Sequence, residues 1–151
     1  EDEELIVNFL DILENHKMLV ENSGLLTVAA LKHLDCKGKR VVSILSGGNM
    51  DIITLSSVVQ HGLIARGRVF TVAVQLPDRP GELVNVADII AKEKGNVIRL
   101  EHNQFVSINR NAAVELRITL EAFGQEHKNE ILKALRDKGY DAKEETPTGM
   151  Y

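Results

Sequence analysis

Apolar positions Leu5, Ile6, Phe9, Leu10 and Leu13 recur three and four residues apart, so residues 1–14 are predicted as a helix. KMLVE (17–21) is a short apolar run and predicts a strand. Ser23 is placed to cap a helix carrying Leu26, Ala29, Ala30 and Leu34. After the polar turn DCKGKR, VVSIL (41–45) is apolar nearly throughout, the pattern of a parallel strand covered on both faces. SGGN follows, with Asn49 available as a cap, and then a helix bearing Ile52, Ile53, Leu55, Val58, Val59 and Leu63. The order helix, strand, helix, strand, helix is the rhythm of an α/β sheet, yet two strands are too few to make one. Residues 1–66 are therefore expected to be the tail of a larger domain.

Beyond residue 67 the pattern changes. In RVFTVAVQL, Phe70, Val72, Val74 and Leu76 share one face. In AAVELRITLE, Val114, Leu116, Ile118 and Leu120 alternate with Glu115, Arg117, Thr119 and Glu121. Such alternation predicts an antiparallel sheet with one buried and one wetter face. Helix 82–94 turns Leu83, Val86, Ala87 and Ile90 inward and is expected to stop at Gly95; helix 126–138 uses Ile131, Leu132 and Leu135 and stops at Gly139. With NVIRLEH and YDAKEE as the remaining strands, the order is βαββαβ, an α+β fold with two helices on one face of four strands.

This half carries a weak internal duplication. AKEKGNVIRLE and LRDKGYDAKEE each end a helix at Lys-Gly and enter a strand. The loops ahead of those helices differ: LPDRPGEL in the first copy and LEAFGQEH in the second. The first is thereby marked as specialised. Pro77 has no N–H and ends the strand's pairing. Asp78 is available to cap the helix, and Pro80 is tolerated in its first turn. Gly81 lacks a Cβ and lets another molecule approach the backbone. The N–H groups of Gly81, Glu82 and Leu83 would then make a small anion site suited to a carboxylate.

Composition narrows the classes. Of the 151 residues 44% are apolar and 26% charged, so the chain can bury a core. The net charge of −4 is spread: 9 acidic and 6 basic residues lie through Gly67, 13 and 12 after it. Neither half is a basic patch, which argues against nucleic-acid or membrane partners. The RNA-recognition version of βαββαβ stacks bases on strand aromatics, and AAVELRITL has none. Val41 to Ala65 is interrupted by Gly47, Gly48, Asn49 and Asp51, too soon for a membrane span. The single cysteine, Cys36, excludes an internal disulfide and suits a reducing, cytoplasmic setting. His16, His33, His61, His102 and His127 have no metal-ligand spacing, and no metal site is expected. The opening EDEE, without methionine, suggests a piece of a longer protein.

VFTVAVQLPDRPGELVNVADIIAKEKGNVIRLEH resembles an ACT domain, a regulatory ferredoxin-like βαββαβ module that commonly binds small amino acids between two copies. The resemblance covers residues 68–146. It implies effector contacts at Asp78, Pro80, Gly81, Glu82 and Leu83, and at Asn96 and Val97 at the start of the second strand. It also implies a homodimer or larger assembly, with isoleucine, valine, threonine and serine as candidate effectors.

VENSG, then GKRVVSILSGGNMDI, then a helix leading into that module, resembles the C-terminal end of the threonine ammonia-lyase (threonine dehydratase) family. Those enzymes use pyridoxal phosphate on a fold-type-II catalytic domain. The resemblance implies that Ser46, with Gly47 and Gly48, faces the cofactor, the serine hydroxyl meeting the pyridine nitrogen. It further implies a parent that converts L-threonine to 2-oxobutanoate and ammonia. The family's Schiff-base lysine motif, Ser-x-Lys-x-Arg-Gly, and its glycine-rich phosphate loop are absent from these residues. This stretch alone is therefore expected to be inactive, to contribute no catalytic residue and to hold no cofactor. A free-standing ACT amino-acid sensor is the alternative.

Overall fold

The computed structural model describes residues 2–103 and 114–147, and the chain divides at Ala65/Arg66 into two units. Glu1 and the predicted strand residues Ala112 and Ala113 lie outside the described residues.

In the second unit, β1 (Val69–Leu76), α4 (Glu82–Lys92), β2 (Asn96–Asn103), β3 (Val114–Glu121), α5 (Gln125–Asp137) and β4 (Asp141–Glu145) realise the predicted βαββαβ order. The sheet is antiparallel with strand order β2-β3-β1-β4, which is ferredoxin-like. Phe70, Val72, Val74 and Leu76 of β1 join Leu116, Ile118 and Leu120 of β3 in one core. Val86 and Ile90 of α4 and Ile131, Leu132 and Leu135 of α5 close it from one side. Each such side chain, fully buried, contributes about 1.5–3 kcal/mol by leaving water. The expected wetter face of β1 is a correction: Val69, Thr71 and Ala73 are buried too. Lying between β3 and β4, β1 keeps short residues there under longer neighbours, Ala73 opposite both Arg117 and Lys143. The hydroxyls of Thr71 and Thr119 bond to each other at 2.9 Å.

The two helix ends differ by one residue. After α5, Gly139 takes the left-handed conformation at φ +88°, and Tyr140 N–H bonds back to Leu135 carbonyl at 3.2 Å. After α4 the left-handed residue is Lys94, at φ +64°, and Gly95 N–H makes the matching bond to Ile90 at 2.9 Å. The helix thus turns at Lys94, and Gly95 is needed for packing. A Cβ there would lie 2.9 Å from Ile90 Cγ2 and 3.1 Å from Ile131 Cδ1.

The first unit holds α1 (Asp2–His16), α2 (Asn22–Ala30) with a 3₁₀ turn Leu31–His33, and α3 (Ile52–Ala65). Phe9, Val20 and Leu25 form its small core. Helices α1 and α3 come close where Gly62 meets Leu10; a Cβ on Gly62 would lie 2.5 Å from Leu10 Cδ1. Neither predicted strand, KMLVE nor VVSIL, forms. A strand requires a neighbour for its backbone groups, and the described residues of this unit hold no other strand. The VVSIL run instead leaves Val42 88% exposed and Ile44 74% exposed. Two predicted caps also move. Glu21, not Ser23, precedes α2 and makes no side-chain cap, while Ser23 Oγ donates to the Glu21 carboxylate at 2.6 Å. Asp51, not Asn49, caps α3, its Oδ1 accepting the N–H groups of Ile53 and Thr54 at 3.0 Å each.

Candidate functional site

Two loops, one in each unit, carry most of the residues singled out from the sequence; Glu82 and Leu83 open α4, and Asn96 and Val97 open β2. Ser46, Gly47, Gly48 and Asn49 are exposed in the segment between α2 and α3. Helix α2 holds the approach to that loop: Thr27 Oγ1 donates to the Ile44 carbonyl at 3.1 Å. Gly47 stands at φ +78°, a conformation that L side chains resist, so the loop turns without strain only as glycine. Met50 N–H then bonds to the Gly48 carbonyl at 3.0 Å and leads into the Asp51 cap. Ser46 in that loop is exposed, whereas the Asp51 carboxyl is taken up by its cap to α3. Glu21 was missed in the sequence, although its N–H donates to the Gly47 carbonyl at 3.1 Å.

In the second unit, the loop from Pro77 to Gly81 joins β1 to α4. Gly81 is the residue before the helix and adopts φ +95°, ψ −20°. Asp78 does not cap the helix, because no side chain does. The loop closes on its own backbone: Arg79 N–H donates to Pro77 carbonyl at 2.8 Å, and Glu82 N–H to Arg79 carbonyl at 3.3 Å. Of the three donors expected to receive an anion, Glu82 is thus already engaged. A Cβ on Gly81 would meet nothing within 4 Å, so the approach to its backbone is open. The Glu82 carboxylate accepts the Tyr140 hydroxyl at 2.9 Å. Burial first, and the adjacent Glu82 second, hold the Tyr140 hydroxyl above its ordinary pKa.

Asn96 and Val97 lie at the other end of the sheet. Asn96 pairs with Glu121, which in turn faces Val69 at the start of β1, whereas Asp78 follows the end of β1. Eight residues of strand separate those levels, a span of roughly 25 Å at the usual rise. One copy of the chain therefore does not bring the two halves of the expected effector site together. Asn96 Nδ2 donates to Glu121 at 3.1 Å and lines an open cavity of about 810 Å³ with Arg66, Arg68, Lys94 and Phe123. Arg66 and Arg68 each make an interaction of their own. Nearby, the ring of Phe123 stacks on His127, centroids 4.7 Å apart. His127 accepts the Phe123 N–H and bonds the Glu93 carbonyl, so both ring nitrogens have protein partners. Among the described residues no three His, Cys, Asp or Glu side chains gather as metal ligands, and no helix is long and apolar enough to cross a membrane.

No family model matches the chain. It is 38% identical over 143 residues to L-threonine ammonia-lyase of Geobacter sulfurreducens, covering 93% of the chain and 35% of that protein. It is 33% identical over 143 residues to L-threonine ammonia-lyase of Thermotoga maritima, covering 94% and 36%. The biosynthetic L-threonine dehydratase of Pasteurella multocida is 31% identical over 145 residues, covering 92% and 27%. The chain thus spans about a third of the length of the first two relatives. Among solved structures, prephenate dehydratase from Streptococcus mutans gives a TM-score of 0.42 at 19% identity, over 50% of this chain and 40% of that one. The regulatory subunit of aspartate kinase from Thermus flavus gives 0.42 at 18%, over 52% of each. Neither structural likeness is close enough to assign anything to this chain.

Proposed function

Because the chain corresponds to the C-terminal region of the threonine ammonia-lyases, we propose that it is the regulatory end of such an enzyme, whose whole form converts L-threonine to 2-oxobutanoate and ammonia. In this reading residues 1–66 complete a catalytic domain and residues 68–146 form an ACT domain that senses a small amino acid. The carrying observation is that one continuous alignment of 143 residues spans both the Ser46 loop and the Pro77–Gly81 loop. A free-standing sensor would have no use for the first loop.

Pyridoxal phosphate, when bound in such an enzyme, supplies the electron sink that lets the substrate lose its β-hydroxyl. The residues present fit a place at its ring. Ser46 offers an exposed neutral hydroxyl at the head of the glycine turn. A hydroxyl orients a ring nitrogen without the charge that would hold it protonated. The chain has no Ser-x-Lys-x-Arg-Gly motif, so by itself it has no amine in place to capture the cofactor aldehyde, and it does not turn over threonine.

The effector site is assembled between two copies, the Asp78–Leu83 loop of one meeting Asn96 and Val97 of the other. The roughly 25 Å between those levels supports this arrangement, as do the exposed Val97, Ile98 and Leu100 on edge strand β2. Isoleucine, valine, threonine and serine are the effectors to screen by thermal shift. A ligand at 100 times its Kd stabilises the folded state by about 2.7 kcal/mol, and each kcal/mol raises Tm by roughly 2–4 °C or somewhat more at this size. Gly81→Asp removes the shift by setting like charge beside the guest carboxylate. At φ +95° an aspartate costs about 1–2 kcal/mol, so the variant melts lower yet cooperatively. Gly81→Asn, equally strained and uncharged, retains part of the shift. An undiminished shift in Gly81→Asp overturns the effector site, and absence of 2-oxobutanoate from the full-length protein with threonine and cofactor overturns the enzyme reading.

A further inference from the structure

The segment Leu19–Gly24 lies against the Ser46 loop along its length. As the loop advances from Ser46 to Gly48, its neighbours run backwards from Gly24 to Leu19. The Ser46 carbonyl sits on the bare Cα of Gly24, so close that any Cβ there would collide with it; Val20 Cγ1 would be 2.8 Å away as well. The Glu21 side chain occupies the space a Cβ on Gly47 would take, its Cδ at 2.5 Å and Cγ at 2.8 Å from that position. The Leu19 carbonyl stands 3.1 Å from the corresponding point at Gly48. Glu21 is gripped in turn: its N–H donates to the Gly47 carbonyl at 3.1 Å and its Oε1 accepts Ser23 Oγ at 2.6 Å.

We infer that Glu21 is a positioning residue for the cofactor serine, its side chain lying over Gly47 and fixing the direction in which Ser46 presents its hydroxyl. The inference rests on the proposed function, since it gives Ser46 a cofactor to face. Glu21 acts by reach. Its stem fills the space beside Gly47 while its backbone holds the Gly47 carbonyl, so the loop has one place to sit. Gly24 is the complementary element, the small residue that lets the Ser46 carbonyl close on α2. Shape, with the Ser23 hydrogen bond, is what the contact requires, and a carboxamide supplies both.

The test uses the full-length enzyme to which the proposed function assigns this chain, with pyridoxal phosphate as the probe. Affinity is read by equilibrium dialysis and the bound cofactor by its absorption band across pH. Glu21→Ala and Glu21→Asp are expected to weaken cofactor binding roughly tenfold, the effect of losing one hydrogen-bonded contact, and to shift the band. Glu21→Gln is expected to stay within about threefold of wild type on the same scale. Gly38→Ala is the control, because Gly38 has φ +72° in the same unit but no neighbour within 4 Å of its Cβ position; its cofactor binding is unchanged. If Glu21→Ala and Glu21→Asp lower Tm but leave affinity and band where they were, the residue is only structural and the inference is overturned. An effect in Glu21→Gln equal to that in Glu21→Ala also overturns it, since charge would then matter. A wild type that binds no pyridoxal phosphate removes the proposed function itself, a result these variants cannot produce.

Discussion

Val41–Leu45 and Val69–Leu76 are both apolar runs flanked by polar turns, yet only the second becomes a strand. Val69–Leu76 finds β3 and β4 on its two sides within its own unit, and all its residues except Gln75 are buried. Val41–Leu45 finds no strand beside it among the described residues and is tied to α2 through the Thr27 hydroxyl. Sequence sets the tendency of a run to be buried on both faces; the presence of partners decides whether it becomes a strand. In the first unit the consequence is a small core and an apolar surface at Val42, Ile44, Ile52 and Ile53.

Cutting the chain at Ala65/Arg66 breaks the comparison most severely. Residues 66–151 are expected to melt cooperatively by circular dichroism, and residues 1–65 to show no cooperative transition. A cooperative melt of residues 1–65 would mean that the exposed apolar run needs no cover. Next in size is a pair of substitutions read by urea unfolding. Ile118→Ala, in the sheet core with 0% exposure, should cost about 2–5 kcal/mol. Ile53→Ala, 80% exposed, should change stability by no more than about 0.5 kcal/mol. Equal costs would show that Ile53 is covered in solution.

The two helix ends give a finer contrast. Gly139→Ala strains a left-handed residue in open space and should cost about 1–2 kcal/mol. Gly95→Ala should match or exceed that, through the crowding of Ile90 and Ile131. Lys94→Gly relieves the left-handed lysine but adds freedom to the unfolded chain, so the two effects leave a gain of under about 1 kcal/mol. If Gly95→Ala is neutral, Ile90 and Ile131 do not crowd that position and the packing reason for the glycine fails. The smallest effect belongs to Asp51. Its carboxyl is held below the usual value, first by the Thr54 hydroxyl and then by the Thr54 and Ile53 N–H groups. A depressed carboxylate stabilises the folded state above its unfolded pKa, and that contribution disappears as pH falls through the lower folded value. Asp51→Asn should therefore flatten the acid limb of the melting curve below about pH 4, leaving the sheet unit's acid limb as it was.

The sheet unit was largely legible because alternation, helix period and Lys-Gly endings agreed with one another. Its strand order followed from topology alone. Periodicity could not reveal the one-residue offset between the two helix ends, since both Lys-Gly pairs look alike in sequence while the left-handed turn falls on Lys94 in one and on Gly139 in the other. Caps in the first unit were misplaced for a related reason: Ser23 and Asn49 are good cap types, but Glu21 and Asp51 stand where the helices begin. Of the candidate site, the glycines at 47 and 81 were legible, and both require positive φ. Glu21 was not, because its partner lies 26 positions along the chain and no local pattern joins them.

The length of β1 has a consequence for regulation. A ligand that must touch both the Gly81 loop and the start of β2 is beyond the span of a single copy, so its binding is a three-body event. Half-saturation then depends on the abundance of the protein as well as on that of the amino acid. At high dilution the same amino acid level would leave the chains unliganded and apart. In the proposed arrangement ligand and self-association would each strengthen the other by the same factor, and the eight residues of β1 would make the protein's own concentration part of the response.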